Sequence, residues 1–401
     1  MPSDTDYTKP YIISICAGCN QIPLISEAKN LGYKIIGVDI NKDAPGLQLC
    51  DIKIQESIHD YKSIYKKLHP ISKKIKIAGV ATRSYGAAII TAAYLAEKFK
   101  IPYISQKNLK RFYDKSLLKN VFAKLSIKSP QVETKSLNKF SGKFPIVIKP
   151  TQGHAKEGVM KIGSFSELEK YHKEHVNTEN FIIEEYITGK EIICIGLIVS
   201  GKFNLIEITD KETTPPPAFV DILHTAPSVY EYKKDELIEA GQKLADYFKI
   251  KNSPLVMEFI VDANDELYII EAVPEFGGEY LCDVLIPLRC NYNIFKEFIK
   301  AITTGECKLP NKNSTSSAVA IRYITGQKGI LNSYNAESAS KTSGIKYFKM
   351  FTELGQETRE PNSNHDRLGI IISQANEKVQ SKFSPFWSAT PDGCLMWRMN
   401  I

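Results

Sequence analysis

The sequence is poor in the features that mark secreted, membrane and nucleic-acid-binding proteins. Met1 to Pro10 is polar, and the apolar run that follows, Tyr11 to Ile15, is too short for a signal segment or a membrane span. Charge of one sign is scarce as well: 52 Lys and Arg stand against 45 Asp and Glu, a net of +7. The densest basic stretch, Lys66 to Lys76, is interleaved with apolar rather than aromatic residues, so nucleic-acid binding is not implied. The eight cysteines are scattered, five of them in or beside apolar segments, as reduced buried thiols are. Only Cys16-Ala17-Gly18-Cys19 has redox spacing, and no second pair nearby completes a zinc site. Repeats and low-complexity linkers are missing too. A cytoplasmic protein with no membrane and no nucleic-acid partner is expected.

What is present is ordinary globular composition, 43% hydrophobic and 24% charged, over 401 residues. At roughly 100 to 200 residues per domain, that length supports two to four units. Tyr11 to Cys16 reads as a strand, Gln21 to Leu31 as a helix closed by Gly32, and Lys34 to Asp39 as a second strand. Ile75 to Ala81 is a third strand, and Ala87 to Phe99, apolar at i, i+3 and i+4, is its helix. These make a doubly wound α/β domain. Asp39 lies about 20 residues beyond Gly18, where a ribose-binding acid belongs. However, one glycine stands in Cys16 to Gln21 where a dinucleotide turn needs three, which argues against NAD.

Farther on, Pro145 to Lys149 and Val159 to Ile162 read as strands around the loop Thr151 to Gly158. Ser164-x-x-Glu167 is a capping box opening a helix to His175, and Phe181 to Glu185 is a strand. Ser200-Gly201 joins Glu191 to Val199 and Lys202 to Thr209 as a two-residue hairpin turn. After the Pro-rich loop Thr213 to Pro217 and a helix, Asp235 to Phe248, comes a second hairpin, Leu255 to Asp262 with Leu267 to Val273. Ala318 to Ile324 and Leu368 to Ile372 are strands of the last hundred residues.

The second hairpin carries a problem of charge. If Asp262 pairs with Leu267, Glu258 lies directly opposite Glu271, and like charges in that position destabilise a sheet, the more so in an apolar setting. A divalent cation held by both, the Mg²⁺ pattern, would compensate. So would a shared proton, a lysine partner, or a register shifted by one. Lys149 ends the very apolar strand Phe144 to Lys149 and needs an anionic partner. The glycine-punctuated loop after it could cradle phosphate through its backbone N–H groups, or be an ordinary hairpin loop.

Taken in order, Asp114-Lys115, Phe-Pro-Ile-Val-Ile-Lys149-Pro150, the glycine loop, Glu184-Glu-Tyr-Ile187-x-Gly189-x-Glu191, Glu258 and Glu271-x-x-Pro-x-x-Gly277-Gly278 resemble the ATP-grasp superfamily. The likeness is to its carboxylate:amine ligases, related to the carbamoyl-phosphate synthetase large chain and to L-amino acid ligases, and it covers nearly the whole chain. Gln21-x-Pro23, Asp39 and Phe219-Val-x-x-x-His224-x-x-Pro227-Ser extend it.

The resemblance implies an N-terminal α/β domain (1–105) and an ATP-grasp domain (106–305) with two α+β subdomains, one a lid at about 125–190. A C-terminal α+β region (306–401) would complete the substrate site. ATP and Mg²⁺ are the implied cofactors, and a small carboxylate and an amine the substrates. Lys115 and Lys149 would meet the phosphates, and the loop with Gly153, His154, Lys156 and Gly158 would close over them. Glu184, Glu185, Tyr186 and Ile187 would face adenine, Glu191 the ribose, and Glu258 and Glu271 the metal. His224, Gly277 and Gly278 would belong to the substrate site. Two departures stand out. Val273 replaces a usual metal-ligating Asn, and Glu275 replaces the Arg that meets the transferring phosphoryl group. Arg289 or Arg322 would have to replace it in space, unless Glu275 itself meets the amine or a metal. Bicarbonate activation and an inactive nucleotide binder are the competing readings, and the sequence allows a homodimer without requiring one.

Overall fold

The computed structural model describes residues 8–134, 140, 142–151, 153, 156–174, 181–216, 218–311, 317–376, 385–389 and 394–399. The chain opens with β1 (Tyr11–Ile15), α1 (Ile22–Asn30), β2 (Lys34–Asp39), β3 (Ile52–Gln55), α2 (Tyr61–Ser72), β4 (Ile77–Ala81) and α3 (Ala87–Phe99). Its four strands form a parallel sheet in the order β3-β2-β1-β4. The periodicity reading missed β3 and α2. The helix α2 is short of apolar residues, but it is capped by Asp60, whose carboxylate accepts from Ser63 N, and it buries Ile64 and Leu68 one turn apart.

Asp39 is engaged in structure. Its carboxylate accepts from the backbone N–H of Ala17 and of Asn41, pinning the loop after β1. Gln21, fully buried, does the same for the neighbouring loop, donating to Ser84 and accepting from Arg83 N. Cys16 and Cys19 are both free thiols, and burial pushes Cys16 above its ordinary pKa, the reverse of a redox-activated thiol.

Next come α4 (Gln106–Phe112) and α5 (Lys115–Lys124), then a small antiparallel sheet of β5 (Val132–Thr134), β6 (Ile146–Pro150), β7 (Met160–Ile162) and β8 (Phe181–Glu185), ordered β5-β8-β6-β7. Its own hydrophobic cluster, with Ile146, Ile148, Ile162 and Ile183, is separate from the main core. The helix α6 (Phe165–Glu174) covers it. Ser164 accepts from Glu167 N as the capping box requires, while the Glu167 carboxylate accepts from Gly163 N. The expected end of this helix at His175 lies outside the described residues.

The centre of the molecule is an antiparallel eight-stranded sheet. It contains β9 (Gly189–Val199), β10 (Lys202–Thr213), β11 (Asp221–Ala226), β12 (Ser253–Asp262), β13 (Leu267–Val273) and β14 (Ser317–Ile324), with α7 (Lys234–Phe248) packed on β10. From one edge the order is β13-β12-β9-β10-β11-β14, continued by Gly369–Asn376 and Ile345–Met350. The last hundred residues extend the central sheet, and one continuous core joins the first sheet to the central one. The helix α9 (Ile294–Thr304), which follows the short α8 (Ile286–Cys290), reaches β4 with Ile302 against Gly79. No helix among the described residues is long and apolar enough to cross a membrane.

Candidate active site

Between the small sheet and the central sheet lies a cavity of about 1160 Å³. Two β-bulges decide which side chains enter it. In the β9–β10 hairpin, Ser200 and Gly201 form the turn with φ of 51° and 90°, and Val199 pairs with Lys202. Continued strictly, that register sets Asp210 opposite Glu191. A bulge between Leu205 and Glu207 moves the pairing by one and puts Lys211 there instead. In the β12–β13 hairpin, Val261 rather than Asp262 pairs with Leu267, one step from the expected register, and a bulge at Ile270 restores Glu258 opposite Glu271. The facing acids expected from the sequence are there, by a different route.

The charges on this face are matched pairwise. Lys211, with no exposed side-chain surface, lies 2.8 Å from Glu191, 2.7 Å from Glu258 and 3.4 Å from Asp221. Burial alone would lower the Lys211 pKa, but the three carboxylates drive it well above the ordinary lysine value. Glu271 hydrogen-bonds to Lys115, which outweighs burial and holds its carboxyl below the usual range. Lysine partners are thus the compensation present at both acids. Lys115 owes its place to Asp114, which caps α5 by accepting from Ser116 N and Leu117 N, and to a bond from Lys115 N to Thr151 O, 3.0 Å, at the end of β6.

One turn along α5, Lys119 is buried against Glu184 at 3.1 Å, while Lys149 reaches the other oxygen of the same carboxylate at 2.5 Å. Glu184 is 1% exposed. Two lysines overcome its burial and keep it ionised, whereas burial lowers Lys119 to about 8. Lys156, at φ 63° in the loop after β6, lies 3.6 Å from Glu191 and 3.9 Å from Glu258. Gly189 is required where β9 meets β12, because a Cβ there would stand 2.2 Å from Val261 O.

Of the residues expected at the site, Lys115, Lys149, Gly153, Lys156, Glu184, Glu185, Tyr186, Ile187, Glu191, Glu258, Glu271, Glu275, Gly277 and Gly278 line this one cavity. His154 lies outside the described residues. Gly158 supports the loop from behind, its φ of 69° and a would-be Cβ 3.0 Å from Pro150 both favouring glycine. His224 is fully buried behind the wall.

Arg289 and Arg322 are not among the described residues that line the cavity. Arg289 sits 3.8 Å from Glu207, and Arg322 is carried on β14 opposite Leu223. The arginine that does line it is Arg367, from the segment before Gly369–Asn376, which the sequence reading passed over with Lys119, Lys211, Asp221 and Glu279. A signal existed for Lys119, four residues after Lys115 on a capped helix. None existed for Arg367.

Glu275 is held at the opposite wall by Tyr113, whose hydroxyl donates to it at 3.5 Å. Burial first and the Glu271 charge second push its carboxyl up to about 8.

The parallel α/β sheet, the two antiparallel sheets and a cavity of facing acids and lysines between them define a class. Residues 142–283 match the family model of the ATP-grasp domain. It is 24% identical over 292 residues to a D-alanine–D-alanine ligase of Aquifex aeolicus, covering 69% of this chain and 90% of that protein. It is 23% identical over 374 residues to an N5-carboxyaminoimidazole ribonucleotide synthase of Staphylococcus aureus, covering 90% and 93%. In fold it is similar to the crystal structure of an L-amino acid ligase from Bacillus licheniformis, with a TM-score of 0.75 at 18% identity over 94% of this chain and 96% of that one. By name, these three similar proteins are two ligases and a synthase.

Proposed function

We propose that the chain activates a small carboxylate as an acyl phosphate at the expense of ATP and joins it to an amine, releasing ADP and phosphate. The observation that carries this reading is the meeting, in one cavity, of the facing pair Glu258 and Glu271 with lysines from three separate elements. The donor set fits Mg²⁺. Glu258 and Glu271 offer hard carboxylate oxygens on the cavity wall, and the described residues hold no cluster of three or more such groups that would cage the ion alone. Nucleotide oxygens and water would fill the remaining positions. Bound there, Mg²⁺ would neutralise charge on the phosphates.

The protein's own groups supply the rest. Lys115, Lys149 and Lys156, each now paired with a carboxylate, would turn to the phosphates, while Lys119 and Lys211 stay behind to keep Glu184, Glu191 and Asp221 compensated. Tyr186 and Ile187 would flank adenine, and Glu191 would accept from the ribose hydroxyls. Arg367 is at the cavity too, with its guanidinium engaged by Glu279. Glu275, largely protonated at neutral pH, would present a hydrogen-bond donor rather than a charge at the reacting centre.

ADP release measured across a matrix of carboxylates and amines, with product masses, tests this. An amide product supports it. Bicarbonate-dependent ADP release without an amide supports carboxylate activation of the carboxylase kind, and nucleotide binding without ADP release under any condition overturns both.

A further inference from the structure

The cavity holds a second charged group, adjoining the Lys211 cluster at Asp221 and built by three segments distant in sequence. Glu279 projects from the turn after β13, where Gly277, Glu279 and Tyr280 all have left-handed backbone, with φ of 69°, 67° and 59°. For the two residues that are not glycine this is strained, and such strain collects where a side chain must be aimed. Arg367 grips the carboxylate with both terminal nitrogens, at 2.5 and 2.9 Å, and its guanidinium rests 3.8 Å over the Tyr323 ring. Its Nε donates to Asn364 O at 2.8 Å, so most of its donors are spent on the protein. It is a holder of Glu279 and a poor receptor for a substrate carboxylate.

Beneath the pair lies His224, 0% exposed, with Nε2 3.6 Å from Glu279. Asp221 closes the same end through Asn364, which donates to it at 2.7 Å. A carboxylate has about four lone-pair sites, and Arg367 occupies two of those on Glu279. A cation can therefore add without breaking the ion pair. Around the whole cavity, carboxylates outnumber lysine and arginine among the described residues.

We propose that Glu279 binds the acceptor amine as its primary ammonium, with Arg367 and His224 as positioning residues; the ammonium yields one proton to solvent before its freed lone pair attacks the acyl carbon, and the second proton and the phosphate leave as the amide forms. The substrate class at this end is accordingly a cationic amine. Burial would raise the Glu279 carboxyl, but His224 and Arg367 bring it down to about 2, so it is an anion at working pH. The inference rests on the ligase reading, and its test separates the two.

The probe is L-alaninamide, a cation at neutral pH without a carboxylate, titrated calorimetrically into the protein with MgADP. Glu279→Gln is expected to weaken its binding at least ten-fold, about 1.4 kcal/mol, and to leave MgADP affinity unchanged. In parallel, the twenty proteinogenic L-amino acids are supplied as carboxylates with MgATP and either hydroxylamine, mostly uncharged at neutral pH, or L-alaninamide. The variant is expected to keep hydroxamate formation and lose amide formation ten-fold or more. Glu279→Asp, which retains the charge, recovers part of the L-alaninamide affinity. Equal loss with both nucleophiles, loss with neither, or no binding of L-alaninamide to the wild type overturns the proposal. If the wild type forms no hydroxamate, the ligase reading fails, and the calorimetric comparison alone decides the ammonium site.

Discussion

Glu275 and Glu279 leave one turn four residues apart and end in opposite electrostatic states. Glu275 faces the wall of Tyr103 and Tyr113 with the Glu271 charge beyond it, and its carboxyl rises to about 8. Glu279 faces Arg367 and His224, and its carboxyl falls to about 2. Burial acts on both in the same direction, so the difference is made by the partners that the fold delivers to each. One wall offers a neutral hydroxyl, the other a bidentate guanidinium. The two ends of the cavity differ in the same sense. At the end under the small sheet, acids share lysines that a phosphate can draw away, whereas the far end holds a fixed pair.

The largest expected effect is at the shared-lysine end. Glu271→Gln removes one of two facing acids and should lower ADP formation at least about a hundred-fold, the scale of losing one electrostatic stabiliser of a transition state. Circular dichroism should show the variant folded, because the repulsion between Glu258 and Glu271 is also removed. Retained turnover in the variant would sink the metal assignment.

Lys149→Ala comes next. It should raise the ATP dissociation constant about ten-fold, one charge-assisted contact, and shift the thermal midpoint little, since Lys119 still compensates Glu184. Lys119→Met should show the reverse balance: a clear loss of stability, because Lys119 is the more deeply buried partner, with a smaller change in nucleotide affinity. If the two variants behave alike, the division into exchanging and standing lysines is wrong.

The two carboxylates also predict pH dependences of opposite sign. The folded pKa of Glu275 lies above its ordinary 4.5, so the folded state keeps a proton that the unfolded state sheds, and stability declines as pH rises from 4.5 to about 8. Glu275→Gln should abolish that decline and be the more stable protein at pH 8. The folded pKa of Glu279 lies below 4.5, so its stabilisation is complete above that pH and is lost as pH falls toward about 2. Glu279→Gln should flatten this acid limb. Denaturant titrations between pH 3 and pH 8 would show whether the slopes diverge.

The lysine-rich side of the cavity was legible because its parts are local. A capping Asp114 before Lys115, a lysine ending an apolar strand and the Gly189-x-Glu191 break each combine neighbours in the chain, and each has a local physical reason. The substrate side was not legible. Arg367 sits 88 residues beyond Glu279, among polar loops, and nothing near it marks it as a partner. Arg289 and Arg322 attracted attention by type alone, and type does not decide direction.

By itself the sequence determined most strands of the first and central sheets and the fact that Glu258 and Glu271 need compensation, all consequences of local pattern and like-charge repulsion. The tertiary structure decided what compensates them. Two bulges, one between Leu205 and Glu207 and one at Ile270, put Lys211, Glu191, Glu258 and Glu271 on a common face, and the observed turn-end pairing of either hairpin, continued without its bulge, would have turned one of them away. A bulge is one extra residue whose cost is met by contacts made across the whole sheet. Because those contacts come from strands far apart in the chain, no local window of the sequence contains them.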